Sequence, residues 1–302
     1  MDINARLANE FGIKLWQVEN TVALIDEGNT IPFIARYRKE ATGELDDQLL
    51  RELSDRLAYL RNVEARKQEV KRLIDEQGLL TDELSQLIDN AEKLTEIEDI
   101  YRPFRPKRRT RATIAKEKGL EPLADLIMSQ TLYEGDFDEI CMPYINEEKA
   151  VLTTVDALSG AMDIIAESVS DNADFRKFIR EFTLRAGFIV SKGTNKEETE
   201  KKRDVFEMYH DFAEPLKKIA KHRVLALDRG EREGFLNVKI DVTEDDILLT
   251  LNKRLIAEKR SITSEYIEAA AADAYKRLIA PAIENEIRNY LTDNAQEGAI
   301  KL

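Results

Sequence analysis

The sequence predicts a mainly α protein: an elongated multi-helix scaffold around one long central helix, with a single small β-hairpin near residues 223–242. Three observations carry that reading. Glycine and proline total only 19 of 302 residues, roughly half of average usage, while Ala, Leu, Glu, Lys and Arg are abundant. Leu45, Leu49, Leu53, Leu57, Leu60, Val63, Val70 and Ile74 recur at steps of three, four or seven, which keeps an apolar stripe on one side of a helix. Strict alternation occurs once, at Leu236, Val238, Ile240 and Val242.

The first helix is capped by Asp2, carries Leu7 and Phe11 and ends at Gly12. A second spans about Lys14 to Glu27, with Leu15, Val18, Val22 and Ile25 inward and Gly28 at its end. Thr30 caps a third, whose first turn tolerates Pro32 because that amide has no helical partner. Helix, glycine-containing turn and helix outline a helix-turn-helix. In a DNA-binding version Arg36, Arg38 and Lys39 reach phosphates or base edges; in an ordinary helical hairpin they meet local carboxylates. The central helix follows from an Asp46 cap to Gln77, with Leu45 and Leu50 as a hydrophobic staple and Gly78 as its stop.

Thr81 opens the next helix, and Thr95 with Glu98 has the spacing of a capping box. The segment from Arg102 to Lys118 then carries Arg102, Arg105, Lys107, Arg108, Arg109, Arg111, Lys116 and Lys118 against one acid, Glu117. Its local charge of +7 leaves −20 for the remainder of a chain whose net charge is −13. With Tyr101 and Phe104 beside it, this is the combination that suits a phosphate backbone and stacked bases. Pro103 and Pro106 oppose a helix there, so the alternative is a loop braced against acidic helices. Helix resumes from Lys116, breaks at Gly119 and restarts at Pro122.

Further helices fit Val155 to Val169, with Leu158, Met162 and Ile165 inward, and Asp171 to Ala186, with Phe175, Phe178, Ile179 and Phe182 inward. Lys196 to Arg203 reads as a solvated helical face with Glu–Lys pairs four apart. Val224 to Leu227 and Leu236 to Val242, separated by the polar Asp228 to Gly234, read as the hairpin. Thr243 starts a helix with Ile247, Leu248 and Leu251. Ser264 caps another through Leu278, which Pro281 kinks or restarts. The helical pattern runs on to Leu302 without a stop, as a fragment would. The segments expected are 1–45, helix-turn-helix-like; 46–190, the long helix and scaffold; and 191–302, helical with the hairpin.

The acidic balance opposes non-specific binding to nucleic acid or anionic membrane, so any nucleic-acid surface is a local patch. The single Cys141 cannot form an intramolecular disulfide, and no apolar run approaches the ~20 residues of a membrane span. A protein of the reducing cytoplasm is expected. Gly-rich phosphate loop, Cys/His metal spacing and nucleophile elbow are all missing, and His210 and His222 are the only histidines. Neither enzyme activity nor a cofactor is expected.

Thr30 to Asp46, reading TIPFIARYRKEATGELD, resembles the signature of the N-terminal region of the Tex family of bacterial transcription accessory proteins. IPFIARYRKE also resembles the matching segment of the eukaryotic Spt-type elongation factor and histone chaperone. Similar stretches run from Glu96 to Ala124, around Ala157 to Glu167, from His222 to Gly234 (HRVLALDRGEREG) and from Ala274 to Arg288 (AYKRLIAPAIENEIR). The resemblance implies a helical N-terminal part containing a helix-turn-helix around a long central helix. In the family this part precedes an RNase-H-like (YqgF) domain, a helix-hairpin-helix region and an OB-fold RNA-binding domain, to which nucleic-acid binding is chiefly ascribed; this sequence stops before them. The implied function is the scaffold, and a nucleic-acid-contacting region, of a transcription accessory factor that meets RNA or DNA. The alternative is a protein-interaction scaffold for RNA polymerase or an associated factor.

Overall fold

The computed structural model describes residues 2–106, 109–194 and 205–300. They are mainly helical and form two compact units, Met1–Phe104 and Arg105–Leu302. This division falls at a different place from the three sequence-based segments.

In the first unit, α1 (Ile3–Phe11), α2 (Leu15–Asp26), α3 (Ile31–Tyr37) and α4 (Lys39–Thr42) precede the long α5 (Asp47–Asp75). The Asp46 side chain accepts from the Leu49 amide, and Gly78 takes the left-handed conformation just beyond the end. At ~1.5 Å per residue its 29 residues make a rod about 44 Å long. Its buried stripe is Leu50, Leu53, Leu57, Leu60, Val63, Lys67, Val70 and Ile74. Leu7, Val18 and Val22 from α1 and α2 pack on Leu53, Leu57 and Leu60, while Ile34 of α3 packs with Leu45 and Leu50. Each such fully buried aliphatic side chain contributes about 1.5–3 kcal/mol.

The other half of α5 holds α6 (Asp82–Asn90) and α7 (Leu94–Tyr101). Buried Lys67 donates from Nζ to the Asp89 carbonyl at 2.7 Å, and Lys71 pairs with the Asp89 carboxylate at 2.6 Å. The expected capping pair of Thr95 and Glu98 does not form. Helix α7 begins earlier, the Glu96 carboxylate accepts from the amides of Glu92 and Lys93, and Glu98 pairs with Arg66 at 2.6 Å.

The second unit is built around α11 (Thr154–Asp171), against which α8 (Arg111–Glu117) and α9 (Glu121–Ser129) pack after a left-handed Gly119. Helix α8 therefore starts before the expected Lys116, with Thr110 as its cap. On α11 the inward face is Ala157, Ala161, Ile164, Ile165 and Val169. Leu158 and Met162, expected inward, are only half-buried at its edge. In α12 (Ala173–Ala186), Phe175 and Ile179 are buried and Phe178 and Phe182 half-buried.

The small sheet corrects the expected hairpin. Strands β1 (Phe188–Gly193) and β2 (Asp211–Pro215) precede α13 (Lys221–Arg232) and β3 (Leu236–Asp241); the order is β2-β1-β3, all antiparallel. Val224 to Leu227 belongs to helix α13, and β3 pairs instead with β1, Ile189 opposite Ile240. Val224, Leu227 and Gly230 are spaced by three and form the buried helical face. Gly230 gives the reason for a glycine there: a Cβ would lie 2.5 Å from Leu236 Cδ1. The glycine that looked like a turn signal is a point of close helix-strand packing. The expected face from Lys196 to Arg203 lies outside the described residues.

Helix α14 (Glu244–Leu255) begins after Thr243 as expected. Helix α15 (Ser264–Asp273) runs through a π-helical turn, Ala274–Ile279, into α16 (Ala280–Ile300). Pro281 explains the widened turn: it has no amide for the Arg277 carbonyl, and the Ala280 amide donates instead to Tyr275, five residues back. Arg288 of α16 is held by Glu231 at 2.7 Å and Asp228 at 3.1 Å, which pins α16 to α13.

Candidate nucleic-acid interface

In the first unit, Arg36, Arg38 and Lys39 stand at the junction of α3 and α4. Ile34, fully buried, anchors α3, and this leaves Arg36, Tyr37, Arg38 and Lys39 exposed on consecutive positions. Helix α2 fixes the far end of α4. Gln17 Nε2 donates to the carbonyls of Thr42 and Gly43 at 3.2 Å each, and Asn20 Nδ2 donates to Ala41 at 2.9 Å. Gly43 is left-handed at φ 67°, and a Cβ there would sit 2.7 Å from the Trp16 ring. The aromatic groups are Phe33 and Tyr37, with ring centroids 5.2 Å apart, and the Arg38 guanidinium lies 5.3 Å from the Phe33 centroid. Tyr37 is 60% exposed and Trp16 43%.

Charge pairing separates these cations from their neighbours. Arg6 and Arg56 meet Glu10, Arg51 meets Asp47, Arg61 meets Asp26, Arg66 meets Glu98 and Arg72 meets Glu76. Arg36, Arg38 and Lys39 have no carboxylate partner among the described residues. The ion pairs with local carboxylates that an ordinary hairpin would give them are not formed among the described residues.

The described residues of the basic segment are divided between the two units. Arg102 is half-buried at the end of the first unit, Arg105 is exposed at the start of the second, and Lys107 and Arg108 lie outside the described residues. Within the second unit Arg109 pairs with Glu117 at 2.8 Å, Lys116 with Glu121 at 3.2 Å, and Lys118 Nζ donates to the Ala150 carbonyl at 3.2 Å. Arg111 lines a cavity of about 330 Å³ with Asp163 and Asp273. Burial pushes the Asp163 carboxyl up, against the pull of Arg277 at 3.3 Å. Sequence reasoning missed Tyr37, Phe33 and Trp16 as site residues, although an aromatic between arginines in IARYR was a visible signal.

His210 is half-buried beside Gly193 and His222 is exposed. Among the described residues no group of His, Cys, Asp and Glu is placed to hold a metal ion, and no helix is long and apolar enough to cross a membrane.

The fold is mainly α, and in the first unit Arg36, Arg38 and Lys39 stand together without a carboxylate partner among the described residues. Residues 1–75 match the Tex-like protein N-terminal domain and residues 135–302 match the Tex central region-like model. The chain belongs to the Tex family. It is 45% identical over 301 residues to the uncharacterized protein YdcI of Bacillus subtilis, covering 99% of this chain and 41% of that protein. It is 36% identical over 305 residues to the transcriptional accessory protein Tex of Neisseria gonorrhoeae, covering 99% and 40%. To the human S1 RNA-binding domain-containing protein 1 it is 28% identical over 308 residues, covering 98% and 30%. The chain thus spans well under half the length of these relatives.

Proposed function

We propose that this chain is a nucleic-acid-contacting scaffold of a Tex-type transcription accessory factor in the cytoplasm, acting by binding and positioning without a chemical step of its own. The observation that carries the proposal is the cluster of Arg36, Arg38 and Lys39, without a carboxylate partner among the described residues and beside exposed Tyr37, in a unit where Arg6, Arg51, Arg56, Arg61, Arg66 and Arg72 are matched to carboxylates. Cations without a carboxylate partner are available to phosphates, and aromatic faces accept bases. The names of the two relatives that mention transcription and RNA binding support the same reading.

Titration of labelled single-stranded RNA and of duplex DNA with this chain, at low and near-physiological salt, tests it. Binding that weakens steeply with salt is expected, because phosphate contacts release counterions. Absence of binding at low salt removes the proposal and leaves a scaffold without nucleic-acid contact of its own.

A further inference from the structure

Independently of the nucleic-acid reading, the second unit carries an exposed apolar strip that nothing covers among the described residues. Its geometry is local. Asn146 and Val151 form an antiparallel bridge, exchanging two hydrogen bonds at 2.9 Å each. Side chains alternate across such a bridge. Val151 is fully buried, so its neighbours Ile145 and Leu152, which face one another across the pair, point outward; they are 38% and 63% exposed. The Ile145 amide donates to the Met142 carbonyl at 3.1 Å, placing Met142, 57% exposed, at one end. At the other end Val155, in the first turn of α11, is 70% exposed.

The strip continues into a cavity. Val155, Leu158 and Met162 follow one another along one side of α11 at helical spacing, and together they line the 330 Å³ cavity beside α15. Helix α11 cannot turn this face inward. Its opposite side is pinned where Gly160 meets Leu120, a contact so close that a Cβ would lie 2.3 Å from Leu120 Cδ1. Exposed Met142, Ile145, Leu152 and Val155, leading to half-buried Leu158 and Met162 at the cavity, have the character of a docking surface.

The charges beside the strip identify the complementary partner. From Asp136 to Asp156 there are six carboxylates against one lysine, Lys149, with Lys118 reaching the Ala150 carbonyl beside them. Two are tied to the strip itself. Asp138 accepts from the Thr154 hydroxyl at 3.0 Å, and Asp156 accepts from the Leu152 amide at 3.1 Å. Hydrogen bonding to Thr153 and Leu152 holds the Asp156 carboxyl below the usual carboxylate range, so it stays ionised. The geometry points to a protein partner that presents an amphipathic helix, apolar on one face and bordered by lysine or arginine. The apolar face lies on Met142, Ile145, Leu152 and Val155, with one side chain entering the cavity, and the basic border meets Asp138 and Asp156.

The test uses a fluorescein-labelled amphipathic peptide of leucine and lysine, followed by anisotropy with the whole chain. A peptide of the same pattern in leucine and glutamate, and a leucine–lysine peptide scrambled to abolish the apolar face, are measured beside it. L152E/V155E is expected to weaken binding of the leucine–lysine peptide at least about tenfold. L79E/L87E, which changes two exposed leucines of the first unit by the same charge, is expected to leave it near the wild-type value. Circular dichroism of both variants establishes that the helices are retained. Equal binding by L152E/V155E and L79E/L87E, equal binding of the ordered and scrambled peptides, tight binding of the glutamate peptide, or no binding at all overturns the inference.

Discussion

Glu10 shows what a single paired side chain does in this protein. A hydrogen bond from Arg56, opposed by desolvation and joined by one from Arg6, lowers its pKa from 4.5 to about 2. The carboxylate form is therefore favoured by folding. Its contribution is fully present above the unfolded value of 4.5 and is lost as pH falls towards about 2. The side chain is about one-third exposed, so solvent discounts the effect to about 1 kcal/mol. Glu10→Gln is expected to lower the unfolding free energy by that amount at pH 7, with the difference shrinking steadily from pH 5 to pH 2 in urea denaturation. A difference independent of pH would mean that the arginines gain nothing from the charge. Gly160 has no ionic part and is sensitive for a steric reason. Gly160→Ala drives a methyl into buried Leu120 and within 3.3 Å of Ala115, and is expected to cost about 1–3 kcal/mol. Thermal unfolding of the variant measures it.

At the scale of elements, the long helix was the most legible part because all its signals are local. The stripe, the Asp46 cap and the Gly78 stop lie within the segment they define. Asp46→Ala removes an acceptor from the Leu49 amide and is expected to cost about 1 kcal/mol. Leu53→Ala opens a hole between α5 and the α1–α2 pair and is expected to cost about 2–5 kcal/mol. Denaturation of the two variants under one set of conditions should rank them in that order. The alternation from Leu236 marked β3, but the pairing of the sheet was illegible for the opposite reason. Its central strand, β1, lies 43 residues before β3 even at its nearest ends, and no local pattern names a partner so distant. The short apolar run Val224 to Leu227 fits a helix or a strand equally well, and only packing of Gly230 on Leu236 decides between them.

For the whole molecule, composition revealed where positive charge is concentrated but not which charges are free. Three cations of the segment with the highest charge density, Arg109, Lys116 and Lys118, meet Glu117, Glu121 and the Ala150 carbonyl. The lesser group at Arg36, Arg38 and Lys39 has no carboxylate partner among the described residues. A surface ion pair is weak, so this difference bears on availability to a ligand more than on stability. It also separates two variants that are alike in overall charge. R36E/R38E/K39E and R109E/K116E/K118E each make the same change to a net charge of −13, and so alter long-range attraction similarly. The decisive measurement is the affinity of both variants and of the unaltered chain for single-stranded RNA as a function of salt. R36E/R38E/K39E is expected to lose at least about tenfold in affinity and about 2 units of the log–log salt slope, as three lost single-strand phosphate contacts require, and R109E/K116E/K118E to lose markedly less of both. Equal losses, or the larger loss in R109E/K116E/K118E, would contradict the assignment of the contact surface to Arg36, Arg38 and Lys39.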